Sequence, residues 1–303
     1  MPLQIYDEHV HLRPHQEPLP AHRLQPMIDA AREQGVILGV REHAPLPEKY
    51  QVGPNRDYFF AMSPDELDGF LLQFHGTDVA FGLEVDYFPD AFDEIRQTVE
   101  AILDRARSMG LVIGGLHGSV HLLPGEIDDI PGKPPGLGVV MWDDTREHFE
   151  QLIEARGLPA IIEDYHDWLI GLIRTGFFQT LSHIDLLRKF DRADERGRSV
   201  YFADYENLYE ESMFDVLAAA AECDMAVELN TQGLDRPYGR PFLSQKALVY
   251  CRQKQIPVAF GSDAHRPAEI GRHFETAAQM FAEAGIERLV YFRDLRPHYW
   301  TYA

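Results

Sequence analysis

Cysteine is almost absent from this sequence: the 303 residues contain only Cys223 and Cys251. Two cysteines cannot form a disulfide framework, and both fall in segments with helical spacing, where buried thiols are expected. Long apolar runs are also missing, since none approaches the roughly 18 residues of a membrane span. The opening MPLQIYDEHV lacks the basic start and apolar core of a signal peptide. We therefore expect a cytoplasmic protein.

Basic residues are scarce as well. The chain has 28 lysines and arginines against 49 aspartates and glutamates, which gives a net charge of −21. This balance excludes binding to nucleic acid or to an anionic membrane through a basic face. With 45% hydrophobic residues the chain can bury a large core, and its length fits either one barrel or two domains.

Seven short, apolar, β-branched runs alternate with longer segments of helical period. This alternation predicts a parallel sheet that is covered by helices on both faces. The helix signals include SPDE at 63–66, which predicts a capping box, and the periodic segment 90–110, which stops at glycine. The predicted strands are residues 3–6, 36–40, 79–85, 111–115, 179–182, 225–229 and 257–262.

No internal repeat divides the chain. The one irregular region, 122–144, is rich in proline and glycine, which fits either a domain linker or a long loop. Strand–helix alternation resumes after this region without a change of composition. We therefore expect a loop over the mouth of a barrel, and a single domain that spans residues 1–303.

Side chains that bind metals follow nearly every predicted strand. In parallel β/α barrels the carboxyl ends of the strands form the face where chemistry is assembled. Only the sixth strand ends without a strong ligand type, at Asn230. The side chains at the other strand ends are His9, His11, Glu42, His43, Glu84, His117, His121, His183, Asp263 and His265.

The spacing within these strands supports a metal site. His9 and His11 are two residues apart, so on a strand they project to the same side and can bind one ion. A shell of imidazoles and carboxylates suits zinc, manganese or iron. A single histidine is usually solvated or hydrogen-bonded, and His117 fits either a layer behind the ligands or a contact with substrate. The other histidines assigned to ordinary polar roles are His75, His148, His166, His273 and His298.

The motifs at these strand ends carry a family likeness. In order along residues 7–271, they resemble the polymerase-and-histidinol-phosphatase (PHP) superfamily, and within it the histidinol-phosphate phosphatases. The resemblance implies a distorted seven-stranded β/α barrel, similar to a TIM barrel. The motifs are DEHVH, REHAPLP, GLEVDY, GSVHLLPG, SHIDLLRKF, ELNTQGLDRPYGRPFLS and GSDAHRPAEIG.

The resemblance implies two or three divalent ions. Their ligands would be His9, His11, Glu84 and Asp263 for the first, bridging Glu84 with His121 and His183 for the second, and His43, His265 and one loop histidine for the third. The first loop departs from the family pattern. His15 lies only four residues beyond His11, and we assign it the loop position in preference to His22.

The implied reaction is hydrolysis of a small phosphate monoester, above all L-histidinol phosphate to L-histidinol and phosphate. It would proceed by in-line attack of a metal-bound hydroxide, with Glu84, Asp263 and His265 as catalytic residues. Three dications against the charges of Glu84 and Asp263 leave a local surplus of about four positive charges, which would attract an anion to an acidic protein.

Arginines and acids complete the expected site. Arg188, Arg236 and Arg240 are the candidates for binding phosphate oxygens, because the guanidinium fork matches them. Asp7 and Glu42 are expected to orient metal-bound imidazoles. The only expected partner is a small phosphorylated substrate, and the oligomeric state stays open, with a homodimer as one alternative.

Three other functions compete with this interpretation. The first is a PHP phosphoesterase that acts on a nucleotide or on another small ester. The second is a zinc amidohydrolase, which is disfavoured because Glu84 stands where such barrels commonly have a bridging lysine. The third is a regulatory relative without turnover, which the altered first loop keeps open.

Overall fold

The computed structural model describes residues 5–13, 23–50, 64–124 and 139–302. Seven parallel strands form its central sheet, and each pairs with the next of the seven along the chain. All seven predicted strands are found, with shifted ends. They are β1 Ile5–Val10, β2 Val36–His43, β3 Ala80–Asp86, β4 Ile113–Ser119, β7 Thr180–Leu181, β8 Ala226–Asn230 and β9 Val258–Gly261.

Helices cover the outside of this sheet. Ser244 accepts a hydrogen bond from the Ala247 amide at the start of one helix, as an N-cap should. The Ser63 cap predicted for another lies outside the described residues, and that helix begins at Pro64. The helices are α1 Leu24–Gln34, α2 Pro64–Leu72, α3 Phe92–Ser108, α4 Arg146–Arg156, α5 Leu158–Arg174, α6 Glu206–Glu222, α7 Gln245–Lys254 and α8 Phe274–Ala284.

Two expectations about these helices can be checked directly. Cys251 is buried in α7, whereas Cys223 is exposed because it lies just beyond the end of α6, so the predicted burial is wrong for Cys223. Among the described residues, no helix combines the length and apolar character needed to cross a membrane.

The barrel closes at a short seam between β1 and β9. The amide of His11 donates to the carbonyl of Ala264, and the amide of Asp263 donates to the carbonyl of His9, both at 2.8 Å. The carboxylate of Asp7 extends this seam by accepting hydrogen bonds from the amides of Ser262 and Gly271, each at 2.9 Å. Asp7 therefore joins the first and last strands. The prediction that it orients an imidazole is wrong.

A C-terminal hairpin closes the end of the barrel where the strands begin. Strands β10 Arg288–Arg293 and β11 Arg296–Thr301 pair in antiparallel fashion. Val290 and Phe292 of β10 pack against Ala226 and Ala259, near the amino ends of β8 and β9. These strands were not predicted from the sequence, and their side chains form the floor of the barrel.

The structure describes both ends of the irregular region 122–144. Strand β5 Leu122–Pro124 pairs with β6 Val139–Met141, so the base of this segment is a β-hairpin, which was not predicted. Residues 125–138 between these strands lie outside the described residues. Whether the segment closes over the barrel mouth stays a prediction.

An ion pair fills the barrel interior above the floor. A terminal nitrogen of Arg41 donates to Glu8 Oε2, and that oxygen also accepts from the amide of Phe292 at 3.2 Å. Arg41 has no exposed surface and Glu8 has 3%. Gly114 makes room for the guanidinium, because a Cβ at this position would lie 2.5 Å from Arg41 Nη1. The strands are therefore held around a fully enclosed charge pair.

Replacing Arg41 alone should destabilise the fold strongly. We expect Arg41→Met to lower the free energy of unfolding by on the order of 3–5 kcal/mol, because Glu8 is left buried without its partner. The double variant Glu8→Leu with Arg41→Met should recover most of this loss, since no charge then remains enclosed. Urea unfolding followed by circular dichroism measures both.

The matched control is an exposed ion pair. Lys246 lies 2.7 Å from Glu210 with 72% of its side chain exposed, and Lys246→Met should change the free energy of unfolding by less than about 1 kcal/mol. A double variant at Glu8 and Arg41 that is as unstable as Arg41→Met would contradict the role given to the pair.

Candidate metal centre

The carboxyl ends of six of the seven strands bring a dense group of imidazoles and carboxylates together. None of these side chains belongs to a residue that is more than 8% exposed. Burying so many ionisable groups is unfavourable unless they are paired with one another or bind ions. The group consists of His9, His11, His43, Glu84, His117, His121, His183, Asp263 and His265.

Glu84 lies at the centre of this group. Its two carboxylate oxygens are 2.7–3.8 Å from ring nitrogens of five histidines. Burial by itself would raise the pKa of Glu84, but the surrounding imidazoles outweigh it and hold the pKa well below the usual value. The carboxylate is therefore charged at neutral pH. The five histidines are His9, His11, His43, His121 and His183.

The first potential ion site lies between His9 and His11. Their Nε2 atoms are 3.0 Å apart, and both lie within 3.3 Å of Glu84 Oε2. Asp263 Oδ1 is 3.4 Å from His11 Nε2. Two N–H groups cannot point at each other at this distance, whereas two lone pairs can converge on one cation. The geometry therefore fits a divalent ion held by His9, His11 and Glu84, with Asp263 beside the second imidazole.

The second potential ion site uses the other oxygen of Glu84. Oε1 lies 2.7 Å from His183 Nε2 and 3.8 Å from His121 Nε2. The opposite nitrogen of His121, Nδ1, faces Asp86 at 3.2 Å, which leaves Nε2 as the nitrogen that can bind an ion. These donors form a cluster whose ligand atoms lie within 4.8 Å of one another. Glu84 can thus bridge two sites.

A third group combines His11, His43 and His265, whose ligand atoms also lie within 4.8 Å of one another. His11 stacks between the other two rings, at centroid distances of 4.6 and 4.4 Å. Its Nε2 already faces the first site, so His43 and His265 would need a further ligand for a separate ion. The predicted ligand His15 lies outside the described residues.

Carboxylates behind the rings fix which nitrogen faces the centre. Glu42 lies 3.3 Å from His11 Nδ1, where the sequence placed it. Glu228 lies 2.7 Å from His9 Nδ1 and was not predicted. The only sequence signal for it was an acid inside the apolar strand MAVEL, on the same face as Asn230. Gly261 on the neighbouring strand β9 makes room for the Glu228 carboxylate beside His9, because a Cβ at this position would lie 1.8 Å from Glu228 Oε1.

His117 occupies a separate position beneath the centre. Its ring meets His9 edge-on, with a centroid distance of 4.9 Å. His9, His117 and Glu228 form a fourth cluster of potential ligands, but His9 Nδ1 is engaged by Glu228, so an ion there would have to displace that hydrogen bond. Burial, reinforced by His9 and Arg41, holds the pKa of His117 well below the usual value, so the ring is neutral.

The pKa values of three other imidazoles are shifted in different directions. Burial lowers the pKa of His9, but Glu228, Glu84 and Asp263 outweigh it and raise the pKa to about 10. Asp86 and Asp143 likewise overcome burial at His121 and raise its pKa to about 10. At His43 burial prevails and lowers the pKa to about 4. In the absence of metal, His9 and His121 are therefore protonated at neutral pH, and each must lose a proton before it can bind an ion.

The carboxylates behind the rings also change the local charge. Five of them, rather than the two counted from the sequence, lie among or directly behind the imidazoles, so three dications would leave a surplus of about one positive charge instead of about four. The attraction for an anion is therefore weaker than expected. The five are Glu42, Glu84, Asp86, Glu228 and Asp263.

The arginines predicted to bind phosphate are not alike. Arg188 donates to both oxygens of Glu206, and Phe202 and Tyr209 lie 4.5 and 4.2 Å from its guanidinium carbon. The fork of Arg188 is thus engaged by a carboxylate, and its predicted binding of phosphate stays a prediction. Arg236 donates to Gln232, and Arg240 is exposed, so neither directly contacts the imidazole cluster.

Comparison with known proteins gives consistent relatives. A family model described as PHP-associated matches residues 244–283. The chain is 26% identical over 299 residues to a Deinococcus radiodurans protein with a histidinol-phosphatase name, covering 95% of this chain and 96% of that protein. It is 27% identical over 247 residues to the histidinol-phosphatase of Bacillus subtilis, covering 77% and 83% respectively.

A solved structure is similar over nearly the full length. The histidinol phosphate phosphatase of Lactococcus lactis, crystallised with zinc, L-histidinol and phosphate, matches with a TM-score of 0.63. It is 19% identical and covers 98% of this chain and 99% of that one. At this identity the likeness establishes the fold, and it confirms the predicted seven-stranded β/α barrel.

Metal loading should release protons. Facing Nε2 atoms allow only one proton between His9 and His11, and His121 carries another at pH 7, so binding of zinc should displace about two protons per chain. Isothermal titration calorimetry in buffers of different ionisation enthalpy counts them. Because these ligands lose their protons as pH rises, apparent zinc affinity should increase from pH 6 to pH 9. Binding without proton release would contradict this description of the centre.

Proposed function

We propose that the chain is a member of the PHP superfamily, in its histidinol-phosphatase branch, and that it is a metal-dependent phosphomonoesterase that converts L-histidinol phosphate to L-histidinol and phosphate. The Bacillus subtilis and Deinococcus radiodurans relatives carry the name of that activity, and both align over most of this chain. The Lactococcus lactis structure holds zinc together with both products of the reaction.

One observation carries the proposal: the two oxygens of Glu84 face different imidazole sets. A carboxylate between two sets of ligands is suited to two closely spaced ions, which can act on both the attacking and the leaving oxygen of a phosphoester. We assign His9, His11, Glu84 and Asp263 to the first ion, and His121 and His183 with Glu84 to the second. Zinc is the proposed metal, with manganese and iron as alternatives.

A third ion is proposed at His43 and His265. The neutral state of His43 suits a ligand, because its pKa of about 4 leaves the ring without a proton to displace. His265 Nδ1 donates to the carbonyl of Asp263 at 3.0 Å, which makes Nε2 the nitrogen that can bind an ion. His15 remains the proposed further ligand.

The chain's own residues would prepare the substrate and the water. When bound, the ions would lower the pKa of water and neutralise phosphate charge. Burial alone would raise the pKa of Asp263, but His9, His11 and His265 hold it well below the usual value. Asp263 therefore stays ionised and can accept a hydrogen bond from the attacking water.

One buried acid and three arginines are candidates for binding the two charged ends of the substrate. Asp143 is 7% exposed, raises the pKa of His121 from nearby, and lies 3.1 Å from Lys189. Such an acid suits the ammonium group of histidinol phosphate. Arg236 and Arg240, on the segment after β8, are the proposed phosphate arginines, and Arg188 would serve only if it left Glu206.

Substrate choice tests the function directly. Protein stripped of metal and reloaded with zinc or manganese should release inorganic phosphate from histidinol phosphate far faster than from nucleotides, because the acidic surface disfavours polyanions. A colorimetric phosphate assay measures both rates. Equal rates would favour a broader phosphoesterase, and no release with any ester would favour a regulatory relative.

The second ion can be tested by a single substitution. His183→Ala removes a ligand assigned to that ion and should abolish turnover, with the fold nearly intact. The matched control is His298→Ala, since His298 is exposed on β11, and it should retain full turnover. Circular dichroism checks the fold of both variants. Wild-type rates in folded His183→Ala would show that the assignment is wrong.

A further inference from the structure

Arg272 joins the loop after β8 to the loop after β9. Its Nε donates to the carbonyl of Ser262 and a terminal nitrogen donates to the carbonyl of Asp263, both at 2.8 Å. The other terminal nitrogen lies 3.1 Å from Asp235 Oδ2. Only 13% of the side chain is exposed. Three simultaneous contacts fix a planar guanidinium in one orientation.

The two carbonyls held by Arg272 flank the rotatable backbone bonds of Asp263. This residue has a φ of 52°, in the left-handed region, which a residue other than glycine keeps only when its surroundings hold it there. A second donor, Gln232 Nε2, reaches the same Asp263 carbonyl at 3.3 Å, but it is neutral and more distant. The seam holds the amide of Asp263 on the carbonyl of His9 at 2.8 Å, and the rigid fork of Arg272 adds a restraint on the two carbonyls that flank this residue.

The restraint extends to His265. The carbonyl of Asp263 accepts hydrogen bonds both from Arg272 and from His265 Nδ1, the latter at 3.0 Å. The direction of this carbonyl therefore fixes the proton on Nδ1 and the orientation of the ring. One guanidinium thus restrains the backbone of Asp263, whose side chain also accepts a hydrogen bond from Asn230 Nδ2 at 3.2 Å, and it shares an acceptor with the ring of His265.

We propose that Arg272 is a positioning residue that sets Asp263 and His265 together for two different metal ions without contacting either ion. This inference rests on the ligand assignment in the proposed function. Asp263 would serve the first ion and His265 the third. The ligands assigned to the second ion come from β3, from the segment between β4 and β5 and from the residues after β7, and none of their described hydrogen bonds involves Arg272. Loss of Arg272 should therefore affect two sites and spare one.

Zinc occupancy at each site tests this selectivity. Crystals of metal-stripped Arg272→Ala, soaked at graded zinc concentrations, would be read by anomalous difference density at the three positions. We expect the zinc affinity of the first and third positions to fall about ten- to a hundredfold, with the second unchanged, because outer hydrogen-bond partners of ligands typically have effects of this size. Equal loss at all three positions, or at none, would overturn the proposal.

Two further variants strengthen the test. Arg252→Ala is the matched control, because Arg252 Nε also donates to a backbone carbonyl, that of Gly285 at 2.9 Å, but far from the centre. It should leave all three occupancies unchanged. Arg272→Lys keeps the charge and loses the fork, so it should show the same selective loss, and it carries the test if Arg272→Ala does not fold.

Chemical rescue separates positioning from general stability. Adding methylguanidinium to Arg272→Ala should restore zinc at the first and third positions, whereas methylammonium should not, because only a planar fork can hold both carbonyls. Zinc occupancy does not depend on turnover. If the zinc-loaded wild-type protein has no phosphatase activity while Arg272→Ala shows the selective zinc loss, the proposed function alone is overturned. If the wild-type protein is active and Arg272→Ala loses zinc equally at all three positions, the role of Arg272 alone is overturned.

Discussion

The site depends on a single buried carboxylate that is shared among imidazoles. Glu84 faces five histidine rings at 2.7–3.8 Å, and these rings come from four separate parts of the chain. Removing such a group from water is costly, and the interaction with the rings offsets that cost only while the strands hold their register. One constraint therefore governs the strand pairing, the seam between β1 and β9 and the positions of the ligands. The parallel strands must end at the same level around the carboxylate of Glu84.

A layered arrangement of charge follows from this constraint. Nearest the floor, Glu8 and Arg41 neutralise each other in a fully enclosed pair. Above them, Glu42, Asp86 and Glu228 each face the outward nitrogen of a ring, which fixes the nitrogen presented to the centre. After β9, the last barrel strand, a backbone carbonyl takes the place of the orienting carboxylate. The carbonyl of Asp263 faces Nδ1 of His265, and Arg272 donates to this carbonyl and to that of Ser262.

The barrel and most of the histidines around Glu84 could be predicted from the sequence, for physical reasons. Seven apolar runs predict the barrel because parallel strands buried on both faces need them, and histidines after those runs must converge because the topology brings strand ends together. Glu228 escaped prediction because an acid inside an apolar strand does not reveal which ring it faces. The pairing of Glu8 with Arg41 arises only when β1 and β2 become neighbours. Arg188 was assigned by its chemistry, but its partner Glu206 lies 18 residues on, at the start of α6, and no local pattern links them.

The position of the β10–β11 hairpin at the end of the sequence affects how the protein folds during its synthesis. During synthesis the segment 288–301 emerges after all seven barrel strands, and β1 can meet its partner across the seam only once β9 exists. Until then the nascent barrel lacks both a floor and a closed wall, and its enclosed arginine and glutamate are open to solvent. Because domains generally fold as units, the imidazoles and carboxylates around Glu84 can come together only late, after the ribosome has made all seven strands.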